Sequence, residues 1–259
     1  MNVQTPAEHP EAADSARTSA GPRIAHSRLD NGMEVVVIPD RRAPVVTHMV
    51  WYRVGRADEP AGASGIAHFL EHLMFKSTDT IPMGEFSKIV ARLGGIDNAF
   101  TSQDITAYYQ RVHKSRLGTV MGMEADRMVN SFIAKKDLDS EMTVVRNEFE
   151  NGENAPFSVM MKRMQSIAYD WHNYGNSTIG NRSDIENVKI ENLQAFYRMY
   201  YQPDNAVLLV AGKFDEAKAL HAGLAAHSML SLRSPITARY DLMPGLLGHR
   251  EGRPWRQGG

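Results

Sequence analysis

His68-Phe69-Leu70-Glu71-His72 is the stretch of this sequence that constrains the fold most strongly. In a helix each residue advances about 100°, so His68 and His72 lie about 40° apart and Glu71 lies within about 100° of both. Zinc accepts neutral imidazole nitrogens, and a catalytic site combines three protein ligands with one open position. The stretch therefore predicts a metal site on one face of a helix, with Glu71 better suited as a base than as a ligand.

A histidine pair on a solvated helix face would give the same spacing by chance. The neighbouring residues favour a metal site, because Gly62 and Gly65 come before the pair and apolar residues surround it. These apolar residues are Ala67, Leu70, Leu73, Met74 and Phe75. A helix wrapped in apolar residues is buried, and buried imidazoles and carboxylates need partners.

Two glutamates downstream share one helical face, because Glu148 lies seven residues after Glu141 and 76 residues after His72. With this spacing, the sequence closely resembles the inverted-zincin peptidases of the pitrilysin and insulysin family, M16, whose signature is His-x-x-Glu-His. The resemblance covers roughly residues 23–220. Its further motifs lie at residues 62–76, 94–101 and 106–109.

The resemblance implies an α+β fold, with one αβ domain at residues 23–221 in which helices pack on a mainly antiparallel sheet. The local patterns agree with this fold class. Asp30-Asn31-Gly32 predicts a hairpin between strands at residues 27–30 and 33–38. Ser183, with Glu186 three residues on, predicts a helix N-cap, and a further helix is expected to start at Asp215.

The family also implies roles for the individual site residues. His68, His72 and Glu148 would bind one Zn²⁺ per chain. Glu71 would take a proton from the water that the metal activates and return it to the departing amine. Glu141 would be a further catalytic carboxylate that supports the ligands from behind; the alternative is an ordinary charge on an exposed helix.

Asn98, Ala99, Phe100 and Thr101 form a segment that the family uses to bind substrate. In similar proteins an extended peptide adds to this sheet edge as an extra strand, so that backbone groups give the affinity and side-chain pockets give the preference. The alternative is a plain structural strand, since the alternation around Phe100 is only moderately amphipathic.

Composition limits the other classes of function. Lys+Arg number 29 against Asp+Glu 30, so there is no basic excess of the kind that nucleic-acid binding proteins show. The absence of cysteine excludes thiolate metal sites and directs any metal toward histidine and carboxylate ligands. No apolar run reaches the roughly eighteen residues of a membrane span.

Both ends of the chain differ in composition from its centre. Residues 1–22 are rich in Ala, Pro, Ser and Thr and show no secretory signal, which predicts a disordered arm. The compartment stays open: cytoplasmic by default, periplasmic if the start is misassigned. Residues 222–259 carry five arginines against two acidic residues and many glycines and prolines, which suggests an aberrant, out-of-frame end or a natural disordered tail.

The predicted function is that of a zinc metalloendopeptidase that hydrolyses extended peptides or unfolded proteins. Family members generally add a second αβ domain and a second half, in the same chain or in a partner subunit. That half closes a chamber and supplies an arginine and a tyrosine to the substrate. The alternatives are a catalytically impaired fragment and a noncatalytic, peptide-binding subunit that lacks the second half.

Overall fold

The computed structural model describes residues 24–214 and His227. The predicted arm at residues 1–22, the predicted helix from Asp215 and the predicted tail at residues 222–259, apart from His227, lie outside these residues. His227 itself is buried, and its ring centre lies 5.9 Å from that of His48.

Residues 24–214 contain six strands and seven α-helices. The strands are β1 (Ala25–Arg28), β2 (Glu34–Pro39), β3 (Val45–Tyr52), β4 (Ile96–Thr101), β5 (Thr106–His113) and β6 (Ala206–Gly212). The helices are α1 (Ile66–Leu73), α2 (Glu85–Arg92), α3 (Leu117–Asn130), α4 (Lys135–Glu153), α5 (Pro156–Tyr169), α6 (Arg182–Glu186) and α7 (Ile190–Tyr200). Short 3-10 turns occur at Arg56–Asp58, Lys114–Arg116, Asn173–Gly175 and Pro203–Asn205. None of these helices has the length and apolar character needed to cross a bilayer.

The strands form one sheet in the order β1-β2-β6-β3-β5-β4. Only the β2–β6 pair is parallel; the other four pairs of this described sheet are antiparallel. The predicted α+β class with a mainly antiparallel sheet is therefore confirmed. β1 and β4 are the two outer strands, so β4 has one side that no strand of the described sheet occupies.

The hairpin predicted at Asp30-Asn31-Gly32 is confirmed. β1 and β2 pair antiparallel with Ser27 opposite Val35. Gly32 has φ +87°, a left-handed conformation that glycine adopts without steric cost. The strand before the turn begins at Ala25, two residues earlier than predicted.

The hydrophobic core lies between the sheet and the helices. β3 alternates along its length, and its buried side chains are those of Val46, His48, Val50 and Tyr52. α1, α3 and α7 contribute the opposing apolar side chains to the same core cluster. One sheet face is thus sealed by helices, and the helix predicted to hold the metal is one of them.

A charged side chain lies fully inside this core. Arg127 of α3 is completely buried and is paired with Glu124, at 2.6 Å between Nη2 and Oε2. Its guanidinium carbon lies 4.9, 4.4 and 4.2 Å from the ring centres of Phe75, Phe86 and Tyr108. Pairing and contact with aromatic faces both stabilise a buried cation, so Arg127 links α3 to the segments that follow α1.

The prediction that Ser183 caps a helix is wrong. α6 begins at Arg182, and Asn181 is the residue before it. The Asp184 carboxylate accepts hydrogen bonds from the backbone N–H and the hydroxyl of Ser64, and Asn181 N–H donates to Ser64 Oγ. These contacts with the loop before α1 set the helix start, and a local sequence pattern carries no information about them.

The close packing of Gly65, the N-cap of α1, can be tested by substitution. Its φ is +92°, and a Cβ there would lie 2.6 Å from the Ile179 carbonyl oxygen. We expect Gly65→Ala to lower the free energy of unfolding by about 1–3 kcal/mol, because alanine is strained in this conformation. Gly122 of α3 is the matched control, since a Cβ there meets nothing within 4 Å, and Gly122→Ala should raise stability by about 0.5–1 kcal/mol. Urea denaturation measures both; equal effects would contradict the close packing of Gly65 on Ile179.

Candidate metal centre

α1 separates its core residues from its polar residues by helical spacing alone. Phe69, Leu70 and Leu73 are buried in the core, whereas His68, Glu71 and His72 are half-buried on another side of the helix. The helix is eight residues long, so the same two turns both fill the core and present the two imidazoles.

A buried carboxylate holds the beginning of this helix. Glu59 accepts hydrogen bonds from the backbone N–H groups of Gly65 and Ala67, each at 2.9 Å, and pairs with Arg56 at 2.9 Å. The carboxylate side chain is fully buried and the Arg56 side chain is 4% exposed. Burial raises the pKa of Glu59 to about 7, against the opposing effects of Arg56 and the two amides. Glu59 therefore fixes where α1 starts, a role that nothing in the local sequence indicates.

Glu148 of α4 joins the two histidines. Its Oε2 lies 3.5 Å from His68 Nε2 and 3.6 Å from His72 Nε2. One ligand atom from each of the three residues falls within 4.8 Å of the others. Bonds of about 2.1 Å at tetrahedral angles place neighbouring ligand atoms about 3.4 Å apart. The two separations that involve Glu148 therefore match those around a tetrahedral metal ion. The Glu148 side chain is 44% exposed, which leaves the site open to solvent.

Glu141 lies behind the second histidine. Its Oε2 is 2.9 Å from His72 Nδ1, and its Oε1 accepts a hydrogen bond from Lys76 Nζ. The hydrogen bond with His72 lowers the pKa of Glu141, and Lys76 lowers it further against the effect of burial. A carboxylate at Nδ1 fixes the imidazole orientation and directs Nε2 outward, as metal sites require. Lys76 follows His72 by four residues, and this helical spacing could have indicated that Lys76 lies near the His72 side chain.

The two imidazoles differ in their surroundings. Burial, helped by the neighbouring His72, lowers the pKa of His68 to about 4. His68 is therefore neutral at pH 7, the form that binds a metal. Burial also acts to lower the pKa of His72, but the hydrogen bond with Glu141 and the charges of Glu148 and Glu71 outweigh it and raise this pKa.

Glu71 is held by a contact with the sheet. Its Oε2 accepts a hydrogen bond from the Thr101 hydroxyl of β4 at 2.5 Å. Burial raises the pKa of Glu71, while the Thr101 hydrogen bond and His72 act in the opposite direction. Glu71 thus lies beside the candidate metal ligands with one of its oxygens bound to the sheet.

The four residues predicted to bind substrate lie on the outer strand β4 but do not all turn toward the metal centre. Thr101 points to α1, as its contact with Glu71 shows. Phe100 points to the other face of the sheet, where its ring meets Trp51 edge-on at 5.6 Å. Asn98 Oδ1 accepts a hydrogen bond from Ala99 N–H at 2.9 Å, which places that amide on the side of β4 that no strand of the described residues occupies.

Comparison with known proteins agrees with this geometry. The sequence profile of the insulinase family (peptidase family M16) matches residues 34–182, and that of the peptidase M16 inactive domain matches residues 187–222. The first profile contains α1, β4 and α4, which are the elements that build the site.

Individual relatives of the chain are named as proteases. The chain is 37% identical to the zinc protease PqqE of Helicobacter pylori over 199 residues, which are 76% of this chain and 45% of that protein. It is 30% identical to the uncharacterised zinc protease YmxG of Bacillus subtilis, covering 75% of this chain and 47% of that one. The crystal structure of a protease from Helicobacter pylori superposes with a TM-score of 0.80 at 35% identity, covering 82% of this chain and 52% of that chain.

The chain thus spans about half the length of the curated relatives it matches. The resemblance expected from the His-x-x-Glu-His stretch and the later glutamates is confirmed by the profile match and by the solved structure. This chain belongs to peptidase family M16, the insulinase family, whose relatives are named zinc proteases.

Proposed function

We propose that this chain carries the zinc site of a metalloendopeptidase that hydrolyses extended peptides. The observation that carries the proposal is that ligand atoms of His68, His72 and Glu148 lie within 4.8 Å of one another, with Glu71 on the same helix as the two histidines. Two imidazoles, a carboxylate and a separate carboxylate base are the donor set of hydrolytic zinc sites.

Each residue has a distinct part in the proposed reaction. Zinc, when bound, supplies Lewis-acid polarisation of a water and of the scissile carbonyl. Glu71 removes a proton from the attacking water and later donates it to the departing amine. Glu141, with its charge balanced by Lys76, holds His72 in the orientation that directs Nε2 to the site.

The open edge of β4 is the proposed substrate site. A peptide that pairs with this edge would make backbone hydrogen bonds with Ala99, and such bonds accept any extended sequence. Because Thr101 of the same strand contacts Glu71, a peptide on this edge runs past the base. Endopeptidase action on unfolded segments follows from this mode of binding.

The activity of the whole protein is a separate proposal. The relatives are about twice the matched length, and we propose that a second half, in the same polypeptide or in a partner subunit, closes the substrate chamber. Donors that stabilise the oxyanion would come from that half. Loss of one such donor typically lowers the rate by about a hundred- to a thousandfold, so the chain alone is expected to cleave peptides slowly.

Zinc binding is the first test of the function. We expect one zinc per purified chain by atomic emission, and a thermal midpoint that falls on chelation because the metal binds only the folded state. Glu148→Gln should weaken zinc binding at least about a hundredfold, and Glu141→Gln about 10- to 100-fold. Glu150→Gln, a carboxylate on the same helix whose side chain is 46% exposed, is the control. Zinc that binds Glu148→Gln as tightly as the wild type would exclude this ligand set.

Peptide cleavage is the second test. We expect the zinc-loaded chain to hydrolyse a quenched fluorescent unfolded peptide, and Glu71→Gln to lower kcat by at least about a hundredfold with zinc content unchanged, because only the base is lost. Glu191→Gln, an exposed carboxylate on α7, should leave the rate unaltered. Cleavage that persists in Glu71→Gln would show that this carboxylate is not the base.

The edge of β4 gives the third test. Ala99→Pro removes the outward amide but spares the pairing with β5, and proline is tolerated on edge strands. In the Glu71→Gln background, which binds without cleaving, we expect Ala99→Pro to weaken binding of a fluorescent extended peptide about tenfold or more. Ala99→Val keeps the N–H and serves as the matched control. Equal affinities for the two variants would place the peptide elsewhere.

A further inference from the structure

Thr101 makes the contact between the base and the sheet. Its hydroxyl donates to Glu71 Oε2 at 2.5 Å, although the two residues lie on different elements and 30 positions apart in the chain. A hydroxyl beside a carboxylate can only donate, since an ionised carboxylate offers no hydrogen. The interaction therefore holds one carboxylate oxygen of Glu71 in a fixed direction.

The register of β4 shows that this hydroxyl is not part of a peptide subsite on the other sheet face. Alternate side chains of a strand point to opposite faces. Thr101 contacts α1 and Asp97 accepts a hydrogen bond from Ser87 of α2, so the odd-numbered residues face the helices. Phe100 faces the opposite side, against Trp51. Thr101 is directed at the base, and its hydrogen is already committed there.

We propose that Thr101 is a positioning residue for the base: it fixes the Glu71 carboxylate so that the second oxygen, Oε1, is the one presented to the attacking water. This inference rests on the proposed function. Glu71 has three side-chain torsions, and a half-buried carboxylate with no fixed partner would sample several rotamers. A charge-assisted hydrogen bond restricts it to one.

Strand β4 couples substrate binding to the position of the base, Glu71. The backbone of β4 offers its outer edge to a peptide at Ala99, and two residues later the same strand holds Glu71 through Thr101. A shift of β4 on peptide binding would therefore be transmitted to the carboxylate directly. Catalysis is sensitive to such positioning, since a displacement of about 1 Å can lower a rate a hundredfold.

A binding experiment tests the proposed positioning of Glu71 by Thr101 without requiring peptide cleavage. The probe is a capped tripeptide hydroxamate, a zinc chelator whose hydroxyl proton is taken up by a neighbouring carboxylate base. We expect Thr101→Val, which is nearly isosteric but lacks the hydroxyl, to bind zinc as the wild type does and the hydroxamate about tenfold more weakly. Thr101→Ser should restore the affinity. Thr47→Val, the same substitution on β3 of the same sheet, should change neither.

A double-mutant cycle then separates positioning from a merely structural effect. If Thr101 acts through Glu71, Thr101→Val has no further effect on hydroxamate binding once Glu71→Gln is present. Additive effects would overturn the proposal, and so would a zinc-loaded wild type that binds the hydroxamate no better than Glu71→Gln. A wild type that binds no zinc overturns the proposed function and this inference together, whereas normal zinc binding with no effect of Thr101→Val overturns the inference alone.

Discussion

The burial of α1 is the constraint on which the rest of this structure depends. Its eight residues fill the core with Phe69, Leu70 and Leu73 and also place His68 and His72 at the candidate metal site. Because both roles share the same two turns, the helix cannot rotate to improve one without losing the other. A short helix gains little from its own hydrogen bonds, so the position of α1 is fixed by contacts at its ends and along its faces.

Those contacts involve carboxylates that are largely buried. Glu59 binds the first amides of α1, Glu141 binds His72 near its last turn, and Thr101 binds Glu71 between them. A buried carboxylate is costly unless its hydrogen bonds are made, so each of these contacts is specific for one position of the helix. Together these buried hydrogen bonds hold the helix, and with it the candidate metal site, in one position.

The sequence alone predicted those features that depend on local spacing. Helical periodicity placed His68, His72, Glu141 and Glu148 correctly on their helices, and an Asn-Gly turn placed the first hairpin. The resemblance to the family predicted that α1 and α4 meet at one site. Insertion of β6 between β2 and β3 was not foreseen, because strand order depends on contacts between residues more than 150 positions apart.

Glu59, Lys76 and the link from Thr101 to Glu71 were missed for a related physical reason. A charged residue in a loop has the same local appearance whether it is solvated or caps a helix, and only the folded chain shows which. Ser183 illustrates the opposite error, since its capping pattern is sound locally but the contact of Ser64 with Asp184 sets the helix start instead. Local rules fail where a polar group has a distant partner.

The open edge of β4 poses a problem that its own residues address. An unpaired strand edge invites association with other chains, and proteins protect such edges by occupying the free backbone groups. The Asn98 side chain occupies one such group, because its Oδ1 accepts a hydrogen bond from the outward N–H of Ala99. A neutral hydrogen bond of this kind contributes only about 1 kcal/mol, and a peptide carbonyl can replace it with an equal one. The edge is thus protected against weak, nonspecific pairing, while in the proposed mode of binding a peptide that is also held at the candidate metal centre would displace Asn98 at little net cost.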